Sequence, residues 1–179
     1  RAAALAGAPS LASFTAPKLL WLRRHEPKIF AQLAMVVLPK DYLRFRMSGE
    51  FITDPCDASG TSLFDVGQRR WSPELIAAAG LNIAKLPTVT EGPVAASRLS
   101  ATTAKRLGLR PGLAIATGAG DAAASAIGVG AIHEGDGFIS LGTSAQYFVT
   151  TKTYRPRPDY MIHTLCHGLP DTWYQLAPF

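Results

Sequence analysis

Cysteine is scarce in this sequence, and long apolar runs are missing from it. Cys56 and Cys166 are the two cysteines among 179 residues. Two are too few for a disulfide framework, so we expect a reducing, cytoplasmic setting. No apolar run approaches the roughly 18 residues that a membrane-spanning helix needs, so we expect no role in a membrane. The hydrophobic fraction of 47% is normal for a folded domain and excludes wholesale disorder.

The charge of the chain is moderate and dispersed. Eighteen Lys and Arg against 13 Asp and Glu give a net charge of +5. The basic residues are scattered, and no aromatic stacking array accompanies them, so the sequence does not favour a nucleic-acid partner. A basic, soluble surface is the simpler interpretation, and an anion or nucleic-acid partner is the alternative.

The first part of the chain is rich in helix signals. Ser72-Pro73 predicts a helix with a hydroxyl cap that ends before Gly80, and a similar pattern runs from about Ser100 to Leu107. Residues 35–38 are a candidate buried strand, and residues 54–61 are rich in turn formers.

The last part of the chain favours antiparallel strands instead. Apolar and β-branched residues separated by turn signals predict two hairpins, with strands at residues 137–141, 146–150, 161–166 and 173–176. The change from helix signals to strand signals near residues 130–135 predicts two regions, residues 1–132 and residues 133–179.

Gly118-Ala119-Gly120-Asp121 follows an apolar strand, predicted at residues 113–117, and precedes a helix of small residues. Glycines permit close backbone approach, and free N–H groups at a helix start favour an anion such as phosphate. Asp121 is placed to accept a proton from a substrate hydroxyl. An equally simple interpretation is that Asp121 only caps the helix.

The turn between the strands at 137–141 and 146–150 contains Gly142, Thr143 and Ser144. Its backbone N–H groups and two hydroxyls suit phosphate oxygens. An ordinary hairpin would have the same composition. Asp121 and this turn lie about 20 residues apart, and their pairing indicates phosphate or hydroxyl chemistry more clearly than either does alone.

Two other interpretations are weaker. Gly118, Gly120 and Ala123 fit a dinucleotide fingerprint, but Asp136 comes too early to be its acidic partner. That interpretation requires residues 138–141 to pair in parallel with residues 113–117. A cluster of His163, Cys166 and His167 lacks the further ligands of a tetrahedral metal site, so no metal ligand is assigned. Cys56 is better explained by buried packing than as a nucleophile.

Several segments, in order along the chain, resemble signatures of the FGGY carbohydrate kinases, and among them the xylulokinase branch. They are Phe14–Trp21, His25–Pro27, Leu38–Arg44, Ser48–Phe51, Asp57–Thr61, Gly118–Asp121, Ser140–Ser144 and His163–Pro170. The resemblance implies an α/β fold of the actin-like, RNase H-like type with two lobes. Residues 1–132 would be the end of the first lobe, and residues 133–179 would be the first strands of the second.

The resemblance also implies a reaction. ATP, assisted by Mg2+, would phosphorylate a sugar hydroxyl, in this branch the 5-hydroxyl of D-xylulose. Asp121 would be the general base that contacts the sugar, and Gly142, Thr143 and Ser144 would contact the phosphates of ATP. The sugar and ATP would be the partners, and a homodimer is compatible with the sequence.

The sequence departs from the family pattern in two respects. Ala122 stands where the family usually has an Asn or Gln that helps to hold the sugar, which keeps open a kinase for another sugar or polyol such as ribulose, gluconate or glycerol. The family's first phosphate motif and its adenosine motif have no counterpart in this sequence. We therefore expect a middle segment that is inactive alone, and a non-catalytic binding protein of the same fold is a further alternative.

Overall fold

A computed structural model of the chain describes residues 1–142 and 145–178. The helices in this part of the chain are α1 (Ala2–Ala6), α2 (Thr15–His25), α3 (Pro27–Ala31), α4 (Pro39–Ser48), α5 (Pro55–Ser59), α6 (Pro73–Ala79), α7 (Ala101–Leu107) and α8 (Asp121–Gly128). The strands are β1 (Ile52–Thr53), β2 (Phe64–Asp65), β3 (Arg70–Trp71), β4 (Thr88–Val89), β5 (Ser97–Arg98), β6 (Ala114–Ile115), β7 (Gly137–Leu141), β8 (Ala145–Thr151), β9 (His163–Cys166) and β10 (Trp173–Pro178). Within these residues no helix is long and apolar enough to cross a membrane.

Local signals account for α6 and α7. The hydroxyls of Ser72 and Ser100 accept hydrogen bonds from backbone N–H groups in the first turns of these helices, as the sequence predicts. Gly80 and Gly108 end them with positive φ values of 71° and 67°, a conformation that costs glycine little.

The last part of the described chain is a four-stranded antiparallel sheet in the order β7-β8-β10-β9. Residues 137–141 pair with residues 145–149 as a hairpin. This pairing overturns the dinucleotide interpretation, which needs the first of these strands to lie in parallel beside residues 113–117. Among the described residues no strand lies on the other side of β7, whose Ile139 and Leu141 are 56% and 78% exposed.

Helix α8 packs closely on this sheet. Ala123 and Ala126 are fully buried in one core cluster with Phe148, Leu165 and Tyr174. The rings of Phe148 and Tyr174 stack with their centroids 4.5 Å apart. Small residues on the buried face of α8 allow the helix to approach the aromatic rings, and this approach fixes the position of its first residue, Asp121.

Helices and pairs of two-residue strands form the first part of the chain. β1 and β4 pair in parallel, whereas β2 with β3 and β5 with β6 pair in antiparallel fashion. Their core includes Leu63, Ile76 and Leu86.

Two predictions for this part were wrong. The strand expected at residues 35–38 is irregular, because the backbone of Val36 makes one hydrogen bond, to Lys85, and no ladder forms. The expected turn at residues 54–61 contains helix α5, since Asp54 caps it and Pro55 occupies its first position.

Arg69 joins the two parts of the chain. Its guanidinium pairs with Glu91 and also donates to the carbonyl oxygens of Thr172 at 2.9 Å and Leu169 at 3.3 Å. The guanidinium lies 5.6 Å from the ring centroid of Trp173. The turn before β10 is therefore fixed to the loop that follows β4.

Candidate functional site

Asp121 occupies the first position of α8, after a tight turn. Gly118 has a φ of 90°, and Gly120 is extended as the cap residue. The exposed carboxylate accepts a hydrogen bond of 2.8 Å from the backbone N–H of Ala122 through Oδ1. This bond joins adjacent residues, and the cap position of the helix belongs to Gly120, not to Asp121 as the simpler interpretation of the sequence predicts. Among the described residues Oδ2 of Asp121 has no hydrogen bond. The role of Asp121 as a base stays a prediction.

A cavity of about 110 Å3 lies beside Asp121. Its lining comes from α8 and from three strands of the sheet: Asp121, Ala122, Ser125, Phe138, Ser140, Gln146, Phe148 and Leu176. The structure thus brings Asp121 together with both strands of the β7–β8 hairpin. Gly142, which the sequence also predicts to act at this site, is exposed directly after β7 and does not line the cavity. Thr143 and Ser144 lie outside the described residues.

The register of the hairpin explains the polarity of the cavity. Ser140 and Gln146 are directly opposed across β7 and β8, so their side chains belong to one face of the ribbon. Phe138 and Phe148 are also paired, and their rings stack with centroids 4.8 Å apart. The cavity therefore has polar groups beside an aromatic wall, a combination that suits the hydroxyls and the C–H faces of a sugar.

Gln146 and Ser125 are cavity residues that the sequence reasoning missed. Ala122 contributes a methyl group where the resemblance leads us to expect an amide, and the amide that lines this cavity belongs to Gln146 instead. The alternating pattern of β8 could have placed Gln146 on the same face as Phe148, but the distance to Asp121 depends on how α8 packs.

Three loops meet behind Asp121. The N–H of Gly118 donates to the carbonyl of Gly92 at 3.0 Å. A Cβ atom at Gly92 would lie 2.7 Å from the carbonyl oxygens of both Gly118 and Gly168. Glycine is therefore required at position 92, and its contacts fix the turn before Asp121 against the loop after β9.

A cluster of charges lies beneath the same turn. The ammonium of Lys40 is 2.6 Å from Asp41, 2.6 Å from Asp54 and 3.3 Å from Asp57. Asp41 and Asp54 are almost completely buried, and Arg44 also pairs with Asp41 at 2.7 Å. Burial raises the pKa of Asp54 and of Asp57, and the charge of Lys40 opposes that rise.

The structure also describes the surroundings of the two cysteines and of His163 and His167. Burial, and then the charge of Asp54, raises the pKa of Cys56 well above its ordinary value, so this thiol is a poor nucleophile. Cys166 donates to the carbonyl of Val66, and the ring of His163 lies against Phe14. His167 accepts a hydrogen bond from the N–H of Leu169.

Comparison with known proteins identifies the family. Residues 2–128 match the profile of the FGGY family of carbohydrate kinases, N-terminal domain. The xylulose kinase of Escherichia coli (strain K12) is 43% identical over 164 residues, which are 92% of this chain and 34% of that protein. The autoinducer-2 kinase of Enterobacter sp. (strain 638) is 32% identical over 161 residues, which are 90% of this chain and 30% of that protein.

Solved structures agree with this result. A xyloylose kinase from Brucella ovis superposes with a TM-score of 0.96 and is 45% identical, over 99% of this chain and 37% of that one. The chain spans about a third of the length of the relatives that it matches. Its mixed helices and strands are those of the α/β, actin-like fold of these sugar kinases. The profile match covers more than two thirds of the chain, and this chain therefore belongs to the FGGY family of carbohydrate kinases.

Proposed function

We propose that this chain forms part of the active site of an ATP-dependent sugar kinase that converts D-xylulose to D-xylulose 5-phosphate. The observation that carries the proposal is the shared cavity of Asp121 and the β7–β8 hairpin. Phosphoryl transfer depends mainly on position and electrostatics, with one group that orients the nucleophile. An exposed carboxylate beside a candidate phosphate-binding hairpin supports this chemistry.

Asp121 acts as the general base in this proposal. The carboxylate accepts the proton of the sugar hydroxyl while the hydroxyl oxygen forms a bond to the γ-phosphorus of ATP. The bond between that phosphorus and the β–γ bridging oxygen breaks, and ADP leaves with that oxygen. Because Oδ1 accepts the N–H of Ala122, the carboxylate is held in one orientation for this step.

The hairpin holds the phosphates of ATP. Gly142 presents backbone without a side chain at the end of β7, and Thr143 and Ser144 would add hydroxyls. Nucleotide-bound Mg2+ would neutralise charge that develops on the phosphates, but among the described residues no group of three or more His, Cys, Asp and Glu side chains could hold a metal ion, so no residue of this chain is assigned as its ligand. In the same proposal residues 1–132 end the first lobe, residues 133–179 begin the second, and segments outside this chain supply the remaining nucleotide contacts.

The test is the replacement of Asp121 in the full-length gene product that contains this chain. Asp121→Asn should lower sugar-dependent ADP release by a factor of about a hundred or more, because general-base catalysis contributes 10²–10⁴-fold. The matched control is Asp159→Asn, an exposed residue in the loop between β8 and β9. Turnover retained by a folded Asp121→Asn protein would rule out this role. The isolated 179-residue chain should show no turnover.

Ala122 favours one second candidate, a kinase for another sugar or polyol. Its methyl group leaves room in the cavity where an amide would narrow it. A panel of D-xylulose, ribulose, gluconate and glycerol, assayed on the full-length gene product, separates these substrates by kcat/KM. Calorimetric binding of sugar without turnover would instead favour the non-catalytic alternative.

A further inference from the structure

Lys40 is the cation that joins two segments beneath the turn before Asp121. It is the second residue of α4, and its ammonium lies within 4 Å of Asp54 and Asp57 at the start of α5. In the described part of the chain no other cationic side chain makes an ion pair with these two carboxylates, because Arg44 pairs with Asp41 alone. Lys40 and Asp57 are 27% and 28% exposed, whereas Asp54 is completely buried.

Asp54 and Asp57 form the first turn of α5. The N–H of Asp57 donates to Oδ1 of Asp54 at 3.0 Å, so one carboxylate caps the helix that carries the other. Burial weakens the screening between the two negative charges. Burial lowers the pKa of Lys40, but the charges of Asp54 and Asp41 and their hydrogen bonds to the ammonium together raise the pKa by more, so the ammonium stays protonated at neutral pH.

The turn before Asp121 rests on this cluster. A Cβ atom at Gly118 would lie 3.9 Å from Cδ of Lys40, and one at Gly120 would lie 3.5 Å from Oδ1 of Asp57. A Cβ atom at Gly120 would also lie 3.4 Å from Sγ of Cys56, the neighbour of Asp57 in α5. Gly120 directly precedes Asp121, so a displacement of α5 displaces Asp121.

We propose that Lys40 is a positioning residue that holds Asp54 and Asp57 together and thereby sets the position of the Asp121 carboxylate. The inference rests on the proposed function in that Asp121 is the group that acts on the sugar. Lys40 itself touches neither substrate nor nucleotide in this account. A misplacement of about 1 Å in a reacting group can cost a factor of about 100 in rate, so the effect is measurable.

The decisive variants are Lys40→Met, Asp57→Asn and their combination, all in the full-length gene product. Lys40→Met should lower kcat about 10- to 100-fold with less than about a threefold change in KM for the sugar. Asp57→Asn removes the negative charge that repels Asp54 once the ammonium of Lys40 is lost. The double variant should therefore recover at least about half of the lost kcat on a logarithmic scale. Lys85→Met is the matched control, since Lys85 is also half-buried but donates to the carbonyl of Leu33 at 2.5 Å.

The pH dependence of kcat distinguishes repulsion between Asp54 and Asp57 from a general loss of structure in Lys40→Met. The groups that face Asp57 in the variant are Asp41 of α4, Asp54 before α5, Cys56 within it and Tyr174 of β10. None supplies a positive charge, so the repulsion ends only when a carboxylate is protonated. The kcat of Lys40→Met relative to the unaltered protein should therefore rise as pH falls towards the raised pKa values of Asp54 and Asp57. The double variant should show a flat ratio.

Amide hydrogen exchange of residues 116–124 gives a readout that does not depend on activity. Exchange should be faster in Lys40→Met, restored in the double variant and unchanged in Lys85→Met.

A lower Tm for Lys40→Met with unchanged kcat, or no recovery in the double variant, would overturn the proposal. If Asp121→Asn keeps full turnover while exchange follows the expected pattern, the proposed base is wrong but the mechanical link from Lys40 to the turn stands. If Lys40→Met does not fold, the folded double variant still has to keep its kcat within about tenfold of that of the unaltered protein.

Discussion

Arg69 and Glu91 form a two-point ion pair, with Nε 2.9 Å from Oε1 and Nη2 2.7 Å from Oε2. The same guanidinium donates to two carbonyl oxygens in the turn before β10. A planar fork of donors is needed to satisfy these acceptors together, and lysine cannot supply it. The ion pair therefore connects the β4 loop to the turn before β10.

Arg69→Lys should destabilise the full-length gene product by about 1–3 kcal/mol, since partly buried acceptors lose their donors. Thermal unfolding followed by calorimetry measures the change. Arg70→Lys is the matched control, because Arg70 is exposed and should tolerate the change. Equal Tm values for the two variants would contradict the connecting role of Arg69.

Gly92→Ala should be among the most damaging single methyl additions in this chain. The new Cβ would lie 2.7 Å from two backbone oxygens, and the loops that carry these oxygens would have to separate. We expect poor expression or a Tm several degrees lower, together with reduced sugar-dependent turnover because Gly118 moves. Circular dichroism melts and the kinase assay measure both effects.

Gly128→Ala is the control for that substitution. Gly128 is the last residue of α8, and an added Cβ would meet no atom within 4 Å. Alanine should be neutral here or stabilise the helix by up to about 1 kcal/mol. A strong loss of stability in Gly128→Ala would show that open space around the added Cβ atom does not decide whether a methyl group is tolerated.

Acid should destabilise the fold through His167. Burial lowers the pKa of His167 below its ordinary value of about 6.5, so the native state stays neutral at pH values at which the unfolded chain takes up a proton. The stability contribution is fully present above about pH 6.5 and is lost as pH falls towards the folded pKa. In His167→Asn the Tm should fall less between about pH 6.5 and pH 5 than in the unaltered protein. The control is His133→Asn at an exposed position, in which the fall in Tm should be unchanged.

Ala122→Asn tests the departure from the family pattern. An amide beside Asp121 would offer hydrogen bonds to sugar hydroxyls, which are worth about 1 kcal/mol each. If D-xylulose is the substrate, its KM should fall about fivefold with little change in Tm. A rise in KM for D-xylulose with a gain on another sugar would instead favour the second candidate function.

Short-range chemistry explains which elements could be predicted from the sequence. The cap at Ser72, the proline after it and Gly80 at the end are neighbours in sequence, so α6 was predicted correctly. The strand predicted at residues 35–38 was wrong because a strand needs a partner, and the backbone of Val36 finds a single acceptor in a distant loop. The signal for α5, Asp54 before Pro55, was present and was interpreted as a turn.

The residues of the candidate site also divide into those that local sequence predicts and those that depend on packing. Asp121 and Gly142 could be chosen from local glycine patterns and from the order of the family motifs. The contacts of Lys40 could not, since they depend on how α4 and α5 pack. Gln146 was missed because the alternation of β8 predicts its face but not its distance from Asp121, which depends on how α8 packs. The catalytic role of Asp121 stays a prediction.

The exposed side of β7 has a practical consequence for work with this chain. Its sequence, Gly137 to Leu141, carries no charge and no proline that would discourage a second chain from pairing with its outer edge, where no strand lies among the described residues. Purified protein is expected to enter concentration-dependent aggregates through this strand. Ile139→Lys should raise the concentration at which light scattering begins, and biophysical measurements on the isolated chain are best made in dilute solution.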